Sequence, residues 1–348
     1  METLWFILVS FLLSMYVVLD GFDLGAGIIH LRAARTDDER RLILNAIGPV
    51  WDGNEVWLLA AGGTLYFAFP LVYASSFSGF YLPLIIVLWL LILRGLGIEF
   101  RHQVHNPLWT RFWDTVFSLA SILLTMFFGA ALGNVIRGVP LNQEGYFFTP
   151  LWTTFTVVPE AGVLDWFTVL FGLIALFTLA VHGAAFISMK TTRDVHKKAH
   201  TVVRNGWWGS LLFSIAGVAA TWSIRPELLQ NFASHPWGLA FPLAGLLGLM
   251  SIGHFSRRGD DRRTFLGSTL FILGMLGATA FSLYPILLPS STDPALSLTI
   301  ERTAAQHYGL TVGLVWWILG MALAAGYFVY LYRSFKGKTS LSADGTGY

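Results

Sequence analysis

Two carboxylates and an amide open the second long apolar stretch of the chain, within the heptapeptide Trp51-Asp52-Gly53-Asn54-Glu55-Val56-Trp57. Asp52 and Glu55 are three residues apart, so a helix places them on one face. Ionisable side chains inside a membrane are costly, and they usually face a bundle interior or a water-filled path. The heptapeptide therefore indicates proton uptake, or a polar partner, inside an apolar helix.

Further acids lie in the neighbouring apolar stretches. Asp20 and Asp23 fall in the first stretch, and Glu99 ends the third, five residues after Arg94. Acids that open to one membrane face suit proton uptake, because burial favours the protonated carboxyl group while a nearby Arg or amide favours the ionised one. We predict a proton pathway of Asp20, Asp23, Asp52, Glu55 and Glu99, lined or supported by Trp51, Asn54 and Arg94.

The same residues also permit a purely structural role. An acid at a helix N-terminus is stabilised by the helix dipole, and a buried Glu99–Arg94 or Asp52–Arg94 ion pair would tie helices together. The small residues around Gly25 favour close helix packing, although packing does not need the acids beside them. Asp114 and Asp165 fall at the ends of apolar stretches, so we expect both to be solvated.

Nine apolar stretches must position these side chains. The chain is 55% hydrophobic and 12% charged, which predicts an all-α polytopic membrane protein. We expect a single membrane domain over residues 1–348, with a tail that frays after Lys336. The first stretch has no basic region before it and no cleavage site after it, so it is interpreted as a retained span. The predicted spans are 4–31, 49–72, 77–100, 113–136, 164–189, 206–224, 238–255, 264–287 and 307–332.

Basic residues follow alternate spans. Nineteen of the 22 Lys and Arg residues lie at the ends of spans 1, 3, 5, 7 and 9, which predicts an external N-terminus and a cytoplasmic C-terminus. At 1.5 Å per residue, Asp23 lies about 13 Å and Asp20 about 18 Å from Arg32. The acids therefore fall in the cytoplasmic half of the membrane. Because topology explains the basic loops, we expect no nucleic-acid partner.

The chain shows no sign of a metal centre of its own. It has no cysteine, which excludes disulfides, iron–sulfur clusters and covalently attached c-type haem. Among nine histidines, only His182 is clearly internal to a span. It is either a haem ligand or a hydrogen-bonded packing residue, and a lone His on a helix is more typical of packing. We expect no metal ligands and no catalytic residue in this chain.

Three motifs, in this order and spacing, resemble subunit II of the cytochrome bd quinol oxidases. They are Asp20-Gly21-Phe22-Asp23-Leu24-Gly25, the heptapeptide from Trp51 to Trp57, and Phe77-Ser78-Gly79-Phe80-Tyr81. Later residues agree, among them Gly133-Asn134 and Tyr284-Pro285. The resemblance runs from the first span to the ninth.

The resemblance implies a fold of nine helices, arranged as two four-helix bundles plus one peripheral helix. It implies that a separate subunit I carries haems b558, b595 and d and the quinol site. The complex would oxidise quinol and reduce dioxygen to water in the bacterial inner membrane, with protons from the cytoplasm. The resemblance also allows for a structural quinone in this subunit and for small accessory single-span subunits among membrane lipid.

The resemblance places the acids near Asp23 and Asp52 on, or beside, a proton route to the haems of the partner. Some members carry Gln at the position of Glu55, which favours Asp23 and Asp52 as proton carriers. Two other functions stay open at this point. One is a proton-coupled transporter that works alone, and the other is a purely structural partner that stabilises a haem subunit.

Overall fold

The computed structural model describes residues 1–157 and 161–340, which form thirteen α-helices and one small β-ribbon. The α-helices are α1 (Glu2–Ala33), α2 (Asp37–Ile47), α3 (Trp51–Ala68), α4 (Pro70–Gly79), α5 (Tyr81–Phe100), α6 (Pro107–Arg137), α7 (Trp166–Lys190), α8 (Arg193–Ile224), α9 (Gln230–Ser234), α10 (Ala240–Arg257), α11 (Asp261–Leu283), α12 (Ile300–Thr303) and α13 (His307–Ser334). Short 3-10 helices span Pro226–Leu229, Pro236–Leu239 and Pro294–Leu296. Strands β1 (Ile286–Leu288) and β2 (Leu298–Thr299) pair antiparallel.

The helices confirm an all-α polytopic membrane protein. Eight helices of the described chain are long and apolar enough to cross a membrane, and α3 with α4 forms a ninth span if the pair is counted as one. That pair is bent by 120°, so the predicted span 49–72 is not one straight helix. The break falls at Phe69 because Pro70 lacks a backbone N–H and disfavours a helical conformation at the residue before it.

Helix α1 lies at the centre and packs against α3, α6, α7 and α11. Its close contact with α7 depends on glycine, because a Cβ atom added at Gly25 would lie 2.0 Å from the carbonyl oxygen of Leu179. A Cβ atom added at Gly27 would lie equally close to the hydroxyl oxygen of Ser121 in α6. The small residues therefore serve the close packing that the sequence indicates, and they leave Asp20 and Asp23 buried. The division into two four-helix bundles and one peripheral helix stays a prediction.

The loops predicted to share one membrane face do meet at one end of the molecule, here called the basic end. Lys198 at the start of α8 lies 2.6 Å from Glu39 of α2, and His196 lies 2.9 Å from Asp261 of α11. Partial burial raises the pKa of Glu39, but the Lys198 ammonium and backbone N–H groups outweigh it and hold that pKa below its ordinary value. The assignment of the basic end to the cytoplasm stays a prediction.

The expectation that Asp114 and Asp165 are solvated is wrong, because each acid is buried against cations. At the basic end, Asp114 bonds to His30 at 2.7 Å and to Arg101 at 2.6 Å. At the opposite end, Asp165 caps α7 and pairs with Arg137. Arg101 and Arg137 lie at the ends of other helices and reach these acids from there. A charged residue at the edge of an apolar stretch is therefore not necessarily exposed.

The chain beyond Lys336 is bound rather than frayed as far as Thr339. The Lys338 ammonium donates to the carbonyl oxygens of Ser188 and Thr191 at 3.1 and 2.9 Å, and the Thr339 N–H donates to that of Lys190. These bonds satisfy carbonyl groups that the end of α7 leaves unpaired. Residues 158–160 and 341–348 of the expected domain, with the end of the tail, lie outside the described residues.

Candidate functional site

Helices α1, α3 and α5 bring five polar side chains together inside the apolar bundle. We call these residues the acid cluster: Asp20, Asp23, Asn54, Glu55 and Arg94. Asp20 and Asp23 lie on one face of α1 because they are three residues apart. Asp20, Asn54 and Arg94 are fully buried. The sequence named all five residues, and the structure adds which atoms meet.

Helix α2 places the start of α3 beside Asp23. A capping box of Thr36 and Glu39 starts α2, and Ile43, Leu44 and Ile47 bury its apolar face. Its 11 residues span about 16 Å, close to the distance of about 15 Å from Asp23 to the end of α1. The chain thus returns from the basic end to the level of Asp23 before α3 begins.

Arg94 joins the three helices through two ion pairs. Its Nη1 atom donates to Oδ1 of Asp20 at 2.6 Å, and its Nη2 atom donates to Oε2 of Glu55 at 2.7 Å. The guanidinium also lies 6.0 Å from the centre of the Trp51 ring, so Trp51 lies beside the cluster. The pairings considered from the sequence, with Asp52 or Glu99, are replaced by pairings with Asp20 and Glu55.

Asn54 connects α1 with α13. Its Nδ2 atom donates to Oδ2 of Asp23 at 2.7 Å, and its Oδ1 atom accepts from the Tyr332 hydroxyl at 2.8 Å. Sequence reasoning missed Tyr332, which lies 278 positions after Asn54. It also missed Tyr16, although Tyr16 lies one helical turn before Asp20 on the same face of α1.

Several polar atoms around the cluster are buried without a hydrogen-bond partner in the described chain. They are Tyr16 Oη, Asp20 Oδ2, Asp23 Oδ1, Trp51 Nε1, Trp57 Nε1 and Arg94 Nε. Buried polar atoms of native proteins are nearly always satisfied by protein groups or by ordered water. This concentration of donors and acceptors fits water molecules, or a group of a partner subunit, that bind among the acids.

The structure places Asp52 and Glu99 outside the cluster. Asp52 is exposed in the first turn of α3. Glu99 is half-buried at the end of α5, near His102. Burial and the charges of Arg101 and Arg41 lower the pKa of His102, and the charge of Glu99 opposes them. Of the five predicted pathway acids, three therefore lie in the cluster and two lie towards the basic end.

A cavity of about 700 Å³, here called the basic-end cavity, adjoins the cluster. The start of α3 with Asp52, the end of α7 with Lys190, the Tyr332 side chain and the tail with Lys338 line it. Tyr332 is thus common to the cavity wall and to the bonds of Asn54. The acid cluster therefore borders a polar cavity on the side of the basic end.

His182 of α7 is hydrogen-bonded at both ring nitrogens. Its Nδ1 atom lies 2.7 Å from the hydroxyl of Ser268, and its Nε2 atom lies 2.9 Å from the carbonyl oxygen of Val18. These bonds match the packing role that the sequence favours over haem ligation. Within residues 1–157 and 161–340, no group of three or more His, Asp or Glu side chains is arranged to hold a metal ion.

Residues 1–335 match the profile of the family described as cytochrome bd terminal oxidase subunit II. A probable cytochrome oxidase subunit 2 of Haemophilus influenzae is 32% identical, over 96% of this chain and 94% of that protein. The cytochrome bd-I ubiquinol oxidase subunit 2 of Escherichia coli K12 is 31% identical, over 90% and 88%. A chain in the structure of the bd oxidase from Geobacillus thermodenitrificans has the same fold, with a TM-score of 0.74, 18% identity and coverage of 96% and 98%.

Proposed function

The chain belongs to the cytochrome bd terminal oxidase subunit II family, and we propose that its acid cluster carries protons from the basic end towards the partner subunit. Membership makes the chain part of a quinol:oxygen oxidoreductase of the bacterial inner membrane. Reduction of one dioxygen to two waters consumes four electrons and four protons. The haems of these oxidases lie in subunit I, so we assign this subunit a part in proton supply and structural support.

The observation that carries the proposal is a set of three mostly buried carboxyl groups with a single guanidinium among them, which pairs with two of the three. Asp20 and Asp23 are fully buried, and the Glu55 side chain is 24% exposed. One Arg94 cannot neutralise three carboxylates, so the cluster can take up protons without creating an unpaired positive charge. The unpaired carboxylate oxygens of Asp20 and Asp23 are the atoms at which such protons would bind.

We propose that Asp52 is the first group of the route, because it is exposed at the basic-end cavity. Asp23 and Asp20 would hold the proton inside the bundle. Glu55 would release it, because it is the acid of the cluster that reaches the outer surface of this chain. Arg94 would hold the side chains of Asp20 and Glu55 next to each other, and Trp51 would limit the space beside the guanidinium. Glu99, near His102, stays a predicted member of the route.

The test is replacement of Asp23 by Asn in the assembled oxidase. The substitution keeps the size of the side chain and removes its capacity to carry a proton. We expect oxygen consumption per haem to fall at least tenfold, with haem content retained. The rate of proton uptake should fall in parallel, because each dioxygen reduced to water still consumes four protons. Asp52→Asn should act in the same direction but less, because water in the cavity can bypass an exposed acid. Asp38→Asn, at an acid that is 73% exposed on α2, is the control.

A structural role is favoured by one specific observation, the two ion pairs through which Arg94 joins three helices. If that is the whole function, Asp23→Asn and Asp52→Asn lower the yield of complex and its haem content in proportion to activity. Full oxygen consumption by Asp23→Asn at every pH, with haem retained, would remove the cluster from the proton route. The structural quinone and the accessory subunits that the resemblance allows for stay predictions.

A further inference from the structure

The hydroxyl group of Tyr332 lies where the basic-end cavity meets the acid cluster. We infer that Tyr332 is a positioning residue, which fixes the amide of Asn54 and thereby selects the oxygen of Asp23 that exchanges protons. This inference rests on the proposed proton route and adds a specific residue to it. Nothing in the local sequence around Asp23 or Asn54 points to a group on the ninth span.

The side-chain amide of Asn54 has one accepting end and one donating end. The Asn54 Oδ1 atom can only accept a hydrogen bond, and its Nδ2 atom can only donate. An ionised carboxylate can only accept, so Nδ2 faces Asp23 and donates to Oδ2 at 2.7 Å. The Tyr332 hydroxyl donates to Oδ1 at 2.8 Å, and this second bond holds the amide in place. An amide does not gain or lose protons at ordinary pH. Asn54 therefore orients Asp23 without carrying its proton, and Tyr332 is bonded to Asn54 rather than to Asp23.

The orientation has a chemical consequence for Asp23. Its Oδ2 atom is occupied by the amide, while its Oδ1 atom is buried and without a partner in the described chain. The free oxygen of Asp20, Oδ2, is likewise buried on the same face of α1. If the amide of Asn54 turned over, its oxygen would face Asp23, and only a protonated carboxyl group could bond to it. The bond from the Tyr332 hydroxyl holds the amide in its present position, and a turn would have to break that bond before the hydroxyl could accept from Nδ2.

Tyr332 is not needed merely to hold α13 in place. Within the described chain, the end of α13 is also fixed by the buried side chain of Leu331 and by Lys190, whose ammonium donates to the carbonyl oxygen of Phe335 at 2.5 Å. The Tyr332 ring stacks on Phe328 with ring centres 6.2 Å apart. A Phe side chain at position 332 keeps these contacts and loses only the hydroxyl group.

Several charged or titratable groups face this site. They are Tyr16 and Asp20 from α1, Asp52 and Glu55 from α3, Arg94 from α5, His182 and Lys190 from α7, and Lys336 and Lys338 from the tail. Because all of them stay in place when Tyr332 becomes Phe, a changed pH dependence reports the loss of the hydroxyl group.

The experiment is Tyr332→Phe in the assembled oxidase, with turnover expressed per haem. Loss of one neutral hydrogen bond predicts a fall of about threefold to tenfold in oxygen consumption. We expect the pH profile of turnover to shift by about half a unit or more, while the KM for quinol stays unchanged. Tyr330→Phe removes a hydroxyl from a side chain of α13 that is 72% exposed, and it should match the wild type.

A double-mutant cycle tests whether Tyr332 acts through Asn54. Asn54→Ala should slow turnover, and addition of Tyr332→Phe should have no further effect, because contacting residues of one network are not additive. An unchanged pH profile, additive effects or a loss of haem parallel to the loss of turnover would each overturn the inference. If Asp23→Asn slows turnover while Tyr332→Phe does not, only the role of Tyr332 fails. If Asp23→Asn has no effect, the proton route itself fails.

Discussion

Arg94 is the residue on which the geometry of the acid cluster depends. A guanidinium presents several donors in a fixed plane, so one side chain can bond Asp20 and Glu55 on two different helices at once. Its Nε atom is buried without a partner in the described chain, which leaves one more donor directed into the cluster. A lysine would offer a single point charge at this position. We therefore expect both the stability of the cluster and its proposed proton chemistry to depend on arginine.

We expect Arg94→Leu to lower the free energy of unfolding of the complex by about 3–5 kcal/mol, because it leaves buried carboxylates unpaired. Arg94→Lys should cost less, since it retains the charge but not both bonds. The measurement is the temperature at which haem absorbance is lost on heating. It should be highest for the wild type, lower for Arg94→Lys and lowest for Arg94→Leu. Arg111→Lys, on the exposed side of α6, is the control. Equal stability of Arg94→Leu and wild type would contradict this account.

Local spacing predicts most of the acid cluster, but it also includes Asp52 and Glu99, which lie outside, and it does not predict which atoms meet. Asp20 with Asp23, and Asn54 with Glu55, follow from short intervals on single helices. The choice of Asp20 and Glu55 as partners of Arg94 depends on how α1, α3 and α5 are rotated about their axes, and three separate sequence segments do not fix that rotation. The contact of Tyr332 with Asn54 depends in addition on where the last span packs. The sequence of α13 also contains Tyr327 and Tyr330, and it does not show which of the three tyrosines faces Asn54.

At the scale of the element, the crossing of α1 and α7 sets the depth of the acids. Gly25 and Gly183 face each other, and a Cβ atom at either position would overlap backbone atoms of the other helix. Close contact here presses α1 against α7 and turns Asp20 and Asp23 towards α3 and α5. In α1, Gly25 thus serves the packing against α7, while Asp20 and Asp23 lie on the opposite side of the helix, where we propose that they carry protons.

Gly25→Ala is expected to prevent normal assembly. The added Cβ atom would lie 2.0 Å from the carbonyl oxygen of Leu179, and backbone overlap of this kind costs about 1–3 kcal/mol or more. The yield of haem-containing complex from membranes is the measurement. Gly320→Ala makes the same chemical change on α13, where nothing lies within 4 Å, and it should be neutral. Normal yield of Gly25→Ala would show that the helices can separate without cost.

Hydropathy predicts the spans better than it predicts the helices. The apolar window of 206–224 marks only the membrane part of α8, which begins at Arg193 and continues through polar residues. The window of 49–72 crosses a bend, although Pro70 was a visible signal for one. Burial of Asp114 and Asp165 could not be predicted, because their cations, Arg101 and Arg137, come from other helix ends.

At the scale of the whole molecule, the proposed route runs from a charged end to an apolar side. The basic end carries the cavity and Asp52, whereas Glu55 reaches the outer face of α3 together with apolar side chains. Leu59 and Tyr66 continue that face at helical spacing and are 73% and 62% exposed. A partly exposed carboxylate would be costly against lipid, so this face is best covered by protein. The partner subunit is the chain that would receive the protons.

The outer face of α3 should therefore contact subunit I in the assembled oxidase. A photoreactive benzoylphenylalanine at Leu59 is expected to cross-link this chain to subunit I on illumination. The same residue at Leu247 of α10, which is 58% exposed on a helix that packs with α8 and α11, should yield no such adduct. Adducts from both positions would mean that the reaction is unspecific. An adduct from Leu247 alone would place subunit I on the other side of the molecule, and Glu55 could not then be the outlet of the route.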